Sequence, residues 1–350
     1  SSGCPSLLLE PTSTNLVQYS ETYVSISWNR QNGTLSDGGS LDSYDSVVKY
    51  EVTTEGFNQM FYRLPSDLPI GTYTQSVLVK CDDADYIHFQ VHTIASDCFV
   101  VWDNVNKSVV SIDPRVTSAT ITSETDGWVS VEITFTSLAL SIYGGVKAYF
   151  SSSSTNNNTG VPIGTIAYMT HSQLENLPYA TSYIPTNGSI ATRLAETLER
   201  DNISHLINSE EGVLYVEVKA LANSGISRFI SLSDGSNNDI LILEYKTTDN
   251  IINARYKVGG NSQANISATI DVLSFNKIAI KYKQNDFALW VNGVEVGSDI
   301  NITTSPINIF NRLSFGRAVA TTFPFYGEIK DLRIYKTALT DEKLTELTTQ

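Results

Sequence analysis

The stretch of sequence that decides the fold lies between positions 276 and 296, and it reads NKIAIKYK at 276–283 and FALWVNGVEV at 287–296. Apolar and polar residues alternate through 277–282, which is the pattern of a strand with one buried face. Asn292-Gly293 stands between two apolar runs, and both residues tolerate the positive φ that a two-residue turn requires. The stretch therefore predicts two strands joined by a tight hairpin at 292–293.

Short runs of the same kind recur along the whole chain and favour an all-β fold. They are rich in Thr, Val, Ile and Tyr, they are separated by Gly, Asn, Asp and Pro, and they lie at 73–80, 86–91, 129–135, 214–218 and 240–245. Helix signals are scarce by comparison. We expect one short helix at 203–208 and another after Thr340, an N-cap residue followed by Asp341 and Glu342.

The composition excludes several classes of protein. Of the 350 residues, 41% are hydrophobic, and no apolar run approaches the ~20 residues that a bilayer-spanning helix requires. The net charge of -14 repels phosphate backbones and argues against a nucleic-acid partner. The chain begins Ser1-Ser2-Gly3 without a signal peptide, so we expect an excised fragment whose anchoring segment lies upstream.

Three cysteines, Cys4, Cys81 and Cys98, match no zinc-binding spacing. Cys81 and Cys98 could form a disulfide if their strands lie side by side. The alternative, which we favour, is that all three are free thiols in a chain that folds in a reducing cytoplasm.

The closing segment reads GEIKDLRIY at 327–335 and ALTDEK at 338–343. Together with the VNG hairpin at 291–293, it resembles the laminin-G-like, concanavalin-type lectin/glucanase sandwich. That family has a strand ending in such a hairpin and a closing segment of this form. The resemblance implies a concanavalin A-like sandwich over 194–350.

Four other stretches resemble a module of bacteriophage fibre and structural proteins. They are LLLEPTSTNLVQYSE at 7–21, YTQSVLVK at 73–80, DGWVSV at 126–131, and QLE at 173–175 followed by ATSYIPT at 180–186. The module is described as a carbohydrate-binding-like jelly roll. The resemblance implies a jelly-roll domain at 1–178, a linker at 179–193 and the concanavalin-like domain after it. The module usually carries a tryptophan where this chain has Thr170. If that indole stacks on sugar, the first domain has lost its site, and if it packs internally, Tyr168 or Met169 compensates for it.

Sugars are bound by aromatic rings with Asp, Asn or Arg beside them. The four tryptophans, Trp28, Trp102, Trp128 and Trp290, lie in apolar or structural motifs, so we expect them in the core. Aromatic residues in polar or irregular surroundings, and arginines near them, are the better candidates for ligand contact. These are Tyr62, Tyr143, Tyr149 and Tyr168 in the first domain, and Arg255, Tyr256, Arg317 and Tyr326 in the second.

Two polar turns offer the oxygen ligands that calcium prefers. One contains Asp82, Asp83 and Asp85, and the other contains Asp234, Asn237 and Asp239. Neither has the spacing of an EF-hand, and Asp and Asn also stabilise ordinary solvated turns. Calcium is therefore a possible cofactor, and we expect no other.

The sequence shows no catalytic signature. It has no closely spaced carboxylate triplet of the kind found in concanavalin-type glycosidases, no Gly-x-Ser-x-Gly and no His-Glu-x-x-His. We expect His88 and His92, which share one strand face, to point to solvent.

The prediction is a non-enzymatic phage virion surface protein, a fibre or decoration protein that binds glycans of the bacterial host or its habitat. It would be made in the host cytoplasm, would contact other virion proteins and would form a homo-oligomer such as a trimer. The alternatives are a polysaccharide depolymerase or lyase, a secreted bacterial adhesin and a purely structural virion module.

Overall fold

The computed structural model describes residues 5–62, 64, 68–91, 98–137, 147–157, 159–223 and 225–349. These residues form two compact units. The N-terminal unit is Thr12–Leu194, and the C-terminal unit joins residues 5–11 to the chain from Ala195 onward.

Nearly all the regular structure is β. In chain order the strands are β1 (Leu7–Leu9), β2 (Ser13–Asn15), β3 (Trp28–Gln31), β4 (Gly33–Asp37), β5 (Val48–Val52), β6 (Asn58–Tyr62), β7 (Gly71–Lys80), β8 (Tyr86–Gln90), β9 (Phe99–Asp103), β10 (Ser108–Ile112), β11 (Val116–Ser123), β12 (Trp128–Ser137), β13 (Lys147–Ser151), β14 (Ile166–Glu175), β15 (Ala191–Arg193), β16 (Glu199–Arg200), β17 (Glu211–Ala220), β18 (Arg228–Ser233), β19 (Ile240–Tyr245), β20 (Ile251–Val258), β21 (Asn261–Thr269), β22 (Asn276–Lys283), β23 (Phe287–Val291), β24 (Val294–Asp299), β25 (Arg312–Ser314) and β26 (Gly327–Tyr335). A 3₁₀ turn lies at Thr125–Gly127, and the helix α1 spans Asp341–Thr348.

The N-terminal unit contains two six-stranded antiparallel sheets. Sheet I has the strand order β10-β9-β8-β13-β6-β3, and sheet II has the order β11-β12-β7-β14-β5-β4. Buried apolar residues of both sheets, such as Trp28, Phe89 and Phe150 from sheet I and Tyr50 and Val131 from sheet II, form one hydrophobic cluster. The sheets therefore pack face to face as a sandwich.

The C-terminal unit is a second sandwich of the same kind. Sheet III has the order β1-β26-β17-β22-β23-β24, and sheet IV has the order β16-β25-β18-β19-β20-β21. Residues such as Leu214, Ile280 and Leu289 of sheet III share a core with Leu243 and Tyr256 of sheet IV. The predicted all-β architecture of two sandwiches with a short C-terminal helix is confirmed.

The stretch that predicted the fold forms the hairpin between β23 and β24. Asn292 and Gly293 have φ of 49° and 87°, the left-handed pair that a two-residue hairpin requires. Position 327, where β26 begins, has no room for a side chain, because a Cβ on Gly327 would lie 2.2 Å from the Lys219 carbonyl oxygen. Thr340 caps α1, and its hydroxyl accepts a hydrogen bond from the Lys343 amide at 3.5 Å.

The division into units differs from the predicted boundaries at both ends of the first domain. β1 pairs with β26, so residues 7–9 belong to the C-terminal unit. The predicted linker at 179–193 packs within the N-terminal unit, where β15 pairs with β2. The Ile184 amide also donates to Gln173 Oε1 at 2.7 Å. These hydrogen bonds fix the proline-containing segment to the N-terminal unit, and the amino-acid composition does not reveal them.

The predicted helix at 203–208 is wrong. The chain there makes two consecutive turns, in which the Leu206 amide donates to the Ile203 carbonyl and the Ile207 amide to that of Ser204. Ile203 and Ile207 are both buried in the core, and their spacing of four residues imitates one face of a helix.

Two predictions about single side chains also have clear outcomes. All four tryptophans are buried, as predicted. His88 is buried rather than solvent-facing, because loop residue Ser153 covers it and its carbonyl lies 2.8 Å from Nε2. His92 lies outside the described residues.

Cys81 and Cys98 are both buried thiols, not the two halves of a disulfide. Burial raises the pKa of the Cys81 thiol to about 12, which makes it unreactive at neutral pH. No helix among the described residues has the length and apolar character needed to cross a membrane.

Candidate functional site

The outer face of sheet IV carries an unusual set of buried polar side chains. Strand alternation sends Ala254 and Tyr256 into the core, so Asn253 and Arg255 point away from it. Across the strands, Asn253 lies opposite Glu244, which in turn lies opposite Phe229. The sheet thus places an aromatic ring, a carboxylate, an amide and a guanidinium on one face.

The loop at 316–324 covers part of this face. The Phe229 amide donates to the Phe323 carbonyl at 3.2 Å, and the Ser231 hydroxyl donates to the Gly316 carbonyl at 2.7 Å. The Phe323 ring lies 5.5 Å from the Phe229 ring and is 48% exposed. Phe323 has φ of 50°, a region that bulky residues rarely adopt. The loop therefore presents an exposed aromatic ring at some backbone cost.

Two arginines flank Phe229. The guanidinium carbons of Arg255 and Arg317 lie 5.7 and 5.8 Å from its ring centroid, within cation–π range. Arg255 Nη2 is 3.1 Å from Glu244 Oε2, and Arg317 Nε donates to Asn237 Oδ1 at 2.9 Å. We call Phe229, Phe323, Arg255, Arg317, Glu244, Asn237 and Asn253 together the Phe229 face.

Two polar atoms of the Phe229 face, Arg255 Nε and Asn253 Oδ1, are buried without a hydrogen-bond partner among the described residues. Asn253 is only 2% exposed, and its Nδ2 already donates to Asn265 Oδ1 at 2.7 Å and to Ser267 Oγ at 3.1 Å. A buried unpaired polar group costs about 1–3 kcal/mol. The face therefore carries one donor and one acceptor, two positions apart on β20, that the described residues do not satisfy.

The structure brings three of the sequence-predicted site residues together on this face, namely Arg255, Arg317 and Asn237. The other predicted ligand residues lie elsewhere. Tyr256 and Tyr62 are core residues rather than ligand contacts. Tyr256 packs against Tyr282, Phe287 and Phe310, and Tyr62 packs against Trp28 at 5.5 Å.

The remaining predicted tyrosines are scattered. Tyr168 is half-buried on β14, and Tyr326 is half-buried beside Leu221, whose amide donates to the Tyr326 carbonyl. Tyr149 lies on sheet I and is described below. Tyr143 lies outside the described residues. Thr170 is fully buried, and its hydroxyl donates to the Ser46 carbonyl at 2.8 Å, so the position expected to carry tryptophan does not face solvent.

The oxygens of the second predicted calcium turn are occupied by protein donors. Asp234 Oδ1 accepts from the Ser236 amide and hydroxyl at 2.8 and 2.7 Å, and Asp239 Oδ1 accepts from the Ser305 hydroxyl at 3.0 Å. These contacts stabilise the turn itself.

The first predicted calcium turn has exposed carboxylates at Asp82, Asp83 and Asp85. Its backbone is fixed by Asn104, whose Nδ2 donates to the carbonyls of Cys81 and Ala84 at 2.8 and 3.0 Å. Within the described part of the chain, no three His, Cys, Asp or Glu side chains are grouped so that they could hold a metal ion.

Sequence reasoning missed Phe229, Phe323, Glu244 and Asn253. Two of them had a signal, since Glu244 interrupts the apolar run ILILEY and Asn253 interrupts IINARY. A polar residue inside an otherwise buried strand needs a partner, which makes it a candidate for a site. Nothing in the sequence places the 316–324 loop over Phe229.

A groove of ≈ 430 Å³ on the outer face of sheet III, beside α1, is the clearest alternative. It is lined by Tyr215, Arg333 and Tyr335 together with residues of α1. Here Arg333 Nη2 lies 2.6 Å from Asp331 Oδ2, and the Arg333 side chain is 54% exposed. Hydrogen bonds to Asp331 and Tyr335 raise the pKa of Arg333. These charges satisfy one another in solvent, whereas on the Phe229 face the Arg255–Glu244 pair is less exposed and Arg255 Nε has no partner among the described residues.

Residues 212–345 match the family model of the concanavalin A-like lectin/glucanases superfamily. The match lies within the C-terminal unit and agrees with its predicted concanavalin-like fold. No curated protein of matching sequence was found.

Solved structures of low similarity include two carbohydrate-associated modules. One is the Ruminococcus gnavus IT-sialidase CBM40, with 16% identity, 44% of this chain and 97% of that chain covered, and a TM-score of 0.36. Another is domain 4 of AbnA, a GH43 extracellular arabinanase from Geobacillus stearothermophilus in complex with arabinotriose, with 18% identity, 49% and 81% covered, and a TM-score of 0.34.

Domains LG4-5 of the mouse laminin alpha1 chain align with 10% identity over 92% of both chains, with a TM-score of 0.28. None of the proteins named here is a bacteriophage protein.

Proposed function

We propose that this chain is a non-enzymatic glycan-binding protein whose C-terminal unit holds the sugar on the Phe229 face. The observation that carries the proposal is the buried, unpartnered pair of Arg255 Nε and Asn253 Oδ1 beside the exposed ring of Phe323. A sugar supplies what this arrangement lacks, because adjacent hydroxyls both donate and accept while the C–H face of the ring stacks on an aromatic side chain.

Binding on such a face would be orientation-specific. Glu244 Oε2 and Arg255 Nη2, 3.1 Å apart, form a fixed acceptor and donor, and the unpartnered atoms extend the same array. Phe323 would supply the apolar contact, and Arg317 would border it. The face is a shallow surface of a sheet, so we expect weak binding per site and avidity from many copies.

The arrangement suits binding better than hydrolysis. Retaining glycosidases place two carboxyl groups about 5 Å apart, and inverting ones place them about 6.5–9.5 Å apart. Glu244 is the single carboxylate in the contacts of the Phe229 face described above, and it is held by Arg255 and by the Ser227 hydroxyl at 3.3 Å. Such a carboxylate orients hydroxyls.

The wider setting that we propose is the surface of a phage virion, as a fibre or decoration protein that binds glycans of the bacterial host or its habitat. The sequence similarity of residues 7–21, 126–131 and 173–186 to a phage fibre module supports this setting. The buried thiols of Cys81 and Cys98 agree with folding in the bacterial cytoplasm before assembly. We further propose contacts with other virion proteins and a homo-oligomer, such as a trimer, which would provide the avidity.

The test is a glycan array followed by calorimetry on the best ligand, using the whole chain. Arg255→Gln should weaken binding about 10- to 100-fold, since hydrogen bonds to charged groups contribute about 1.5–3 kcal/mol. Arg333→Gln, the matched arginine of sheet III, should change it less than twofold. Equal losses in both variants, or none in Arg255→Gln, would refute the site. Release of reducing ends from the bound polysaccharide would favour the depolymerase instead.

A further inference from the structure

The N-terminal unit has a separate patch of polar and aromatic side chains on the face of sheet I that points away from its core. Along β13, Ala148 and Phe150 enter the hydrophobic cluster, so Lys147 and Tyr149 point the other way. Lys147 lies opposite Phe61 on one neighbouring strand and Gln90 on the other. In the next row, Tyr149 lies opposite Gln59 and His88.

The ammonium group of Lys147 lies close to two aromatic rings. Its Nζ lies 4.9 Å from the ring centroid of Phe61 and 5.0 Å from that of Tyr149. It takes part in none of the ion pairs found among the described residues. Burial lowers the pKa of Lys147 to about 8, so the charge is costly where it stands. Cation–π contacts with the two rings offset part of the cost of burying the Lys147 charge, and an ion pair with a carboxylate would offset the rest.

Polar side chains that can form hydrogen bonds with the hydroxyl groups of a ligand surround this lysine. Gln59 is more than nine-tenths buried, and its Oε1 has no hydrogen-bond partner among the residues that the structure describes. The Tyr149 hydroxyl donates to Gln90 Oε1 at 3.2 Å. Phe99 closes the row, with its ring 5.6 Å from that of Tyr149. We call Lys147, Phe61, Tyr149, Gln59, Gln90, His88 and Phe99 together the Lys147 patch.

We propose that the Lys147 patch binds an acidic sugar, one whose ring carries a carboxylate, with that carboxylate on Lys147, the apolar ring face against Phe61 and Tyr149, and a hydroxyl donating to Gln59 Oε1. The site lies in the other unit from the Phe229 face and takes a charged ligand, so it stands independently of the function proposed above. The net charge of -14 repels polyanions at long range, so binding of one would report a local site rather than general attraction.

Lys147→Met tests the assignment because it keeps the length of the side chain and removes the charge. The probe is a trigalacturonate titrated calorimetrically into the whole chain, with the neutral trigalactose as the control ligand. We expect at least a tenfold loss of trigalacturonate affinity, while the variant melts at the same or a higher temperature than the parent. If Lys147 instead stabilised the fold, Lys147→Met would melt at a lower temperature than the parent.

Lys107→Met, at an exposed lysine of the same unit, is the matched control and should leave affinity unchanged. Arg255→Gln should also leave trigalacturonate binding unchanged, which separates this proposal from the Phe229 face. Retained binding in Lys147→Met, or equal binding of the neutral and acidic trisaccharides, would overturn the assignment. Binding of a sulfated trisaccharide or inorganic phosphate in preference to the carboxylate would overturn it as well.

The pH dependence gives a second readout. Among the described residues on the strands around Lys147, the titratable neighbours in the patch are Tyr149 and His88. Burial raises the pKa of Tyr149 to about 12 and lowers that of His88, so neither changes charge between pH 7 and 9. Trigalacturonate binding should therefore weaken as pH rises through about 8, where Lys147 loses its proton. A flat profile in this interval would contradict a role for the Lys147 charge.

Discussion

The two outer faces of the C-terminal sandwich use similar side chains in opposite ways. On sheet III, Arg333 pairs with Asp331 two residues away on the same strand, and its side chain is mostly in solvent. On sheet IV, Arg255 pairs with Glu244 across two strands, and the side chains are 30% and 10% exposed. The first pair satisfies itself and is weak in water, whereas the second is partly buried and leaves Arg255 Nε without a partner among the described residues.

We infer from this difference that the outer face of sheet III stabilises the fold, whereas that of sheet IV binds a ligand. α1 covers much of the sheet III face, where Leu344 joins Tyr215, Ala279 and Trp290 in a small core. Over the Phe229 face the described residues place a loop and no helix, and they leave two of its polar atoms without a hydrogen-bond partner. Substitutions on sheet III should therefore change stability, and substitutions on sheet IV should change ligand affinity.

The largest expected effect is on the sheet III face. Trp290→Ala should lower the free energy of unfolding of the C-terminal unit by about 3–5 kcal/mol, because it removes a buried indole from beneath α1. Urea unfolding followed by circular dichroism measures the change. Glycan affinity per folded molecule should stay the same, and a specific loss of affinity without a loss of stability would reverse the assignment of the two faces.

A smaller effect is expected for Phe323→Ala on the sheet IV face. The ring is half exposed, so its removal should leave the unfolding free energy within about 0.5–1 kcal/mol. Loss of the stacking contact should weaken glycan binding by about 3- to 10-fold, the equivalent of 0.5–1.5 kcal/mol. Ile307→Ala, at an exposed apolar residue of the same unit, serves as the control. If the two variants bind alike, Phe323 does not contact the sugar.

The smallest expected effect concerns calcium. The Asp234 and Asp239 oxygens already accept hydrogen bonds within their own turn and from Ser305. Removing calcium with a chelator should therefore leave both the melting temperature and glycan affinity unchanged. A fall in affinity that added calcium restores would assign a cofactor role to one of the two Asp-rich turns.

Much of the fold could be predicted from the sequence because its signals are local. Alternation along 277–282 and the Asn292-Gly293 pair depend on a strand and its own turn, and both formed as expected. The failure at 203–208 arose because two buried isoleucines four residues apart are compatible with consecutive turns as well as with a helix.

The candidate site was harder to predict because it depends on which residues meet across strands. Arg255 and Tyr256 were both predicted as ligand contacts, although neighbours on a strand point to opposite faces, and only Arg255 faces outward. Glu244 and Asn253 could have been found from their positions within buried strands. Phe323 could not, since its place depends on how the 316–324 loop returns over Phe229.

The central claim is that a glycan satisfies the buried polar atoms of the Phe229 face. The most direct test is an NMR titration of the whole chain that follows the Arg255 Nε–H and the Asn253 side-chain amide while the best glycan from the array is added. The account predicts that both signals shift in step with binding and that the Arg333 Nε–H stays unchanged. Shifts at Arg333 and Tyr335, with Arg255 and Asn253 unaffected, would contradict it and move the site to the groove beside α1.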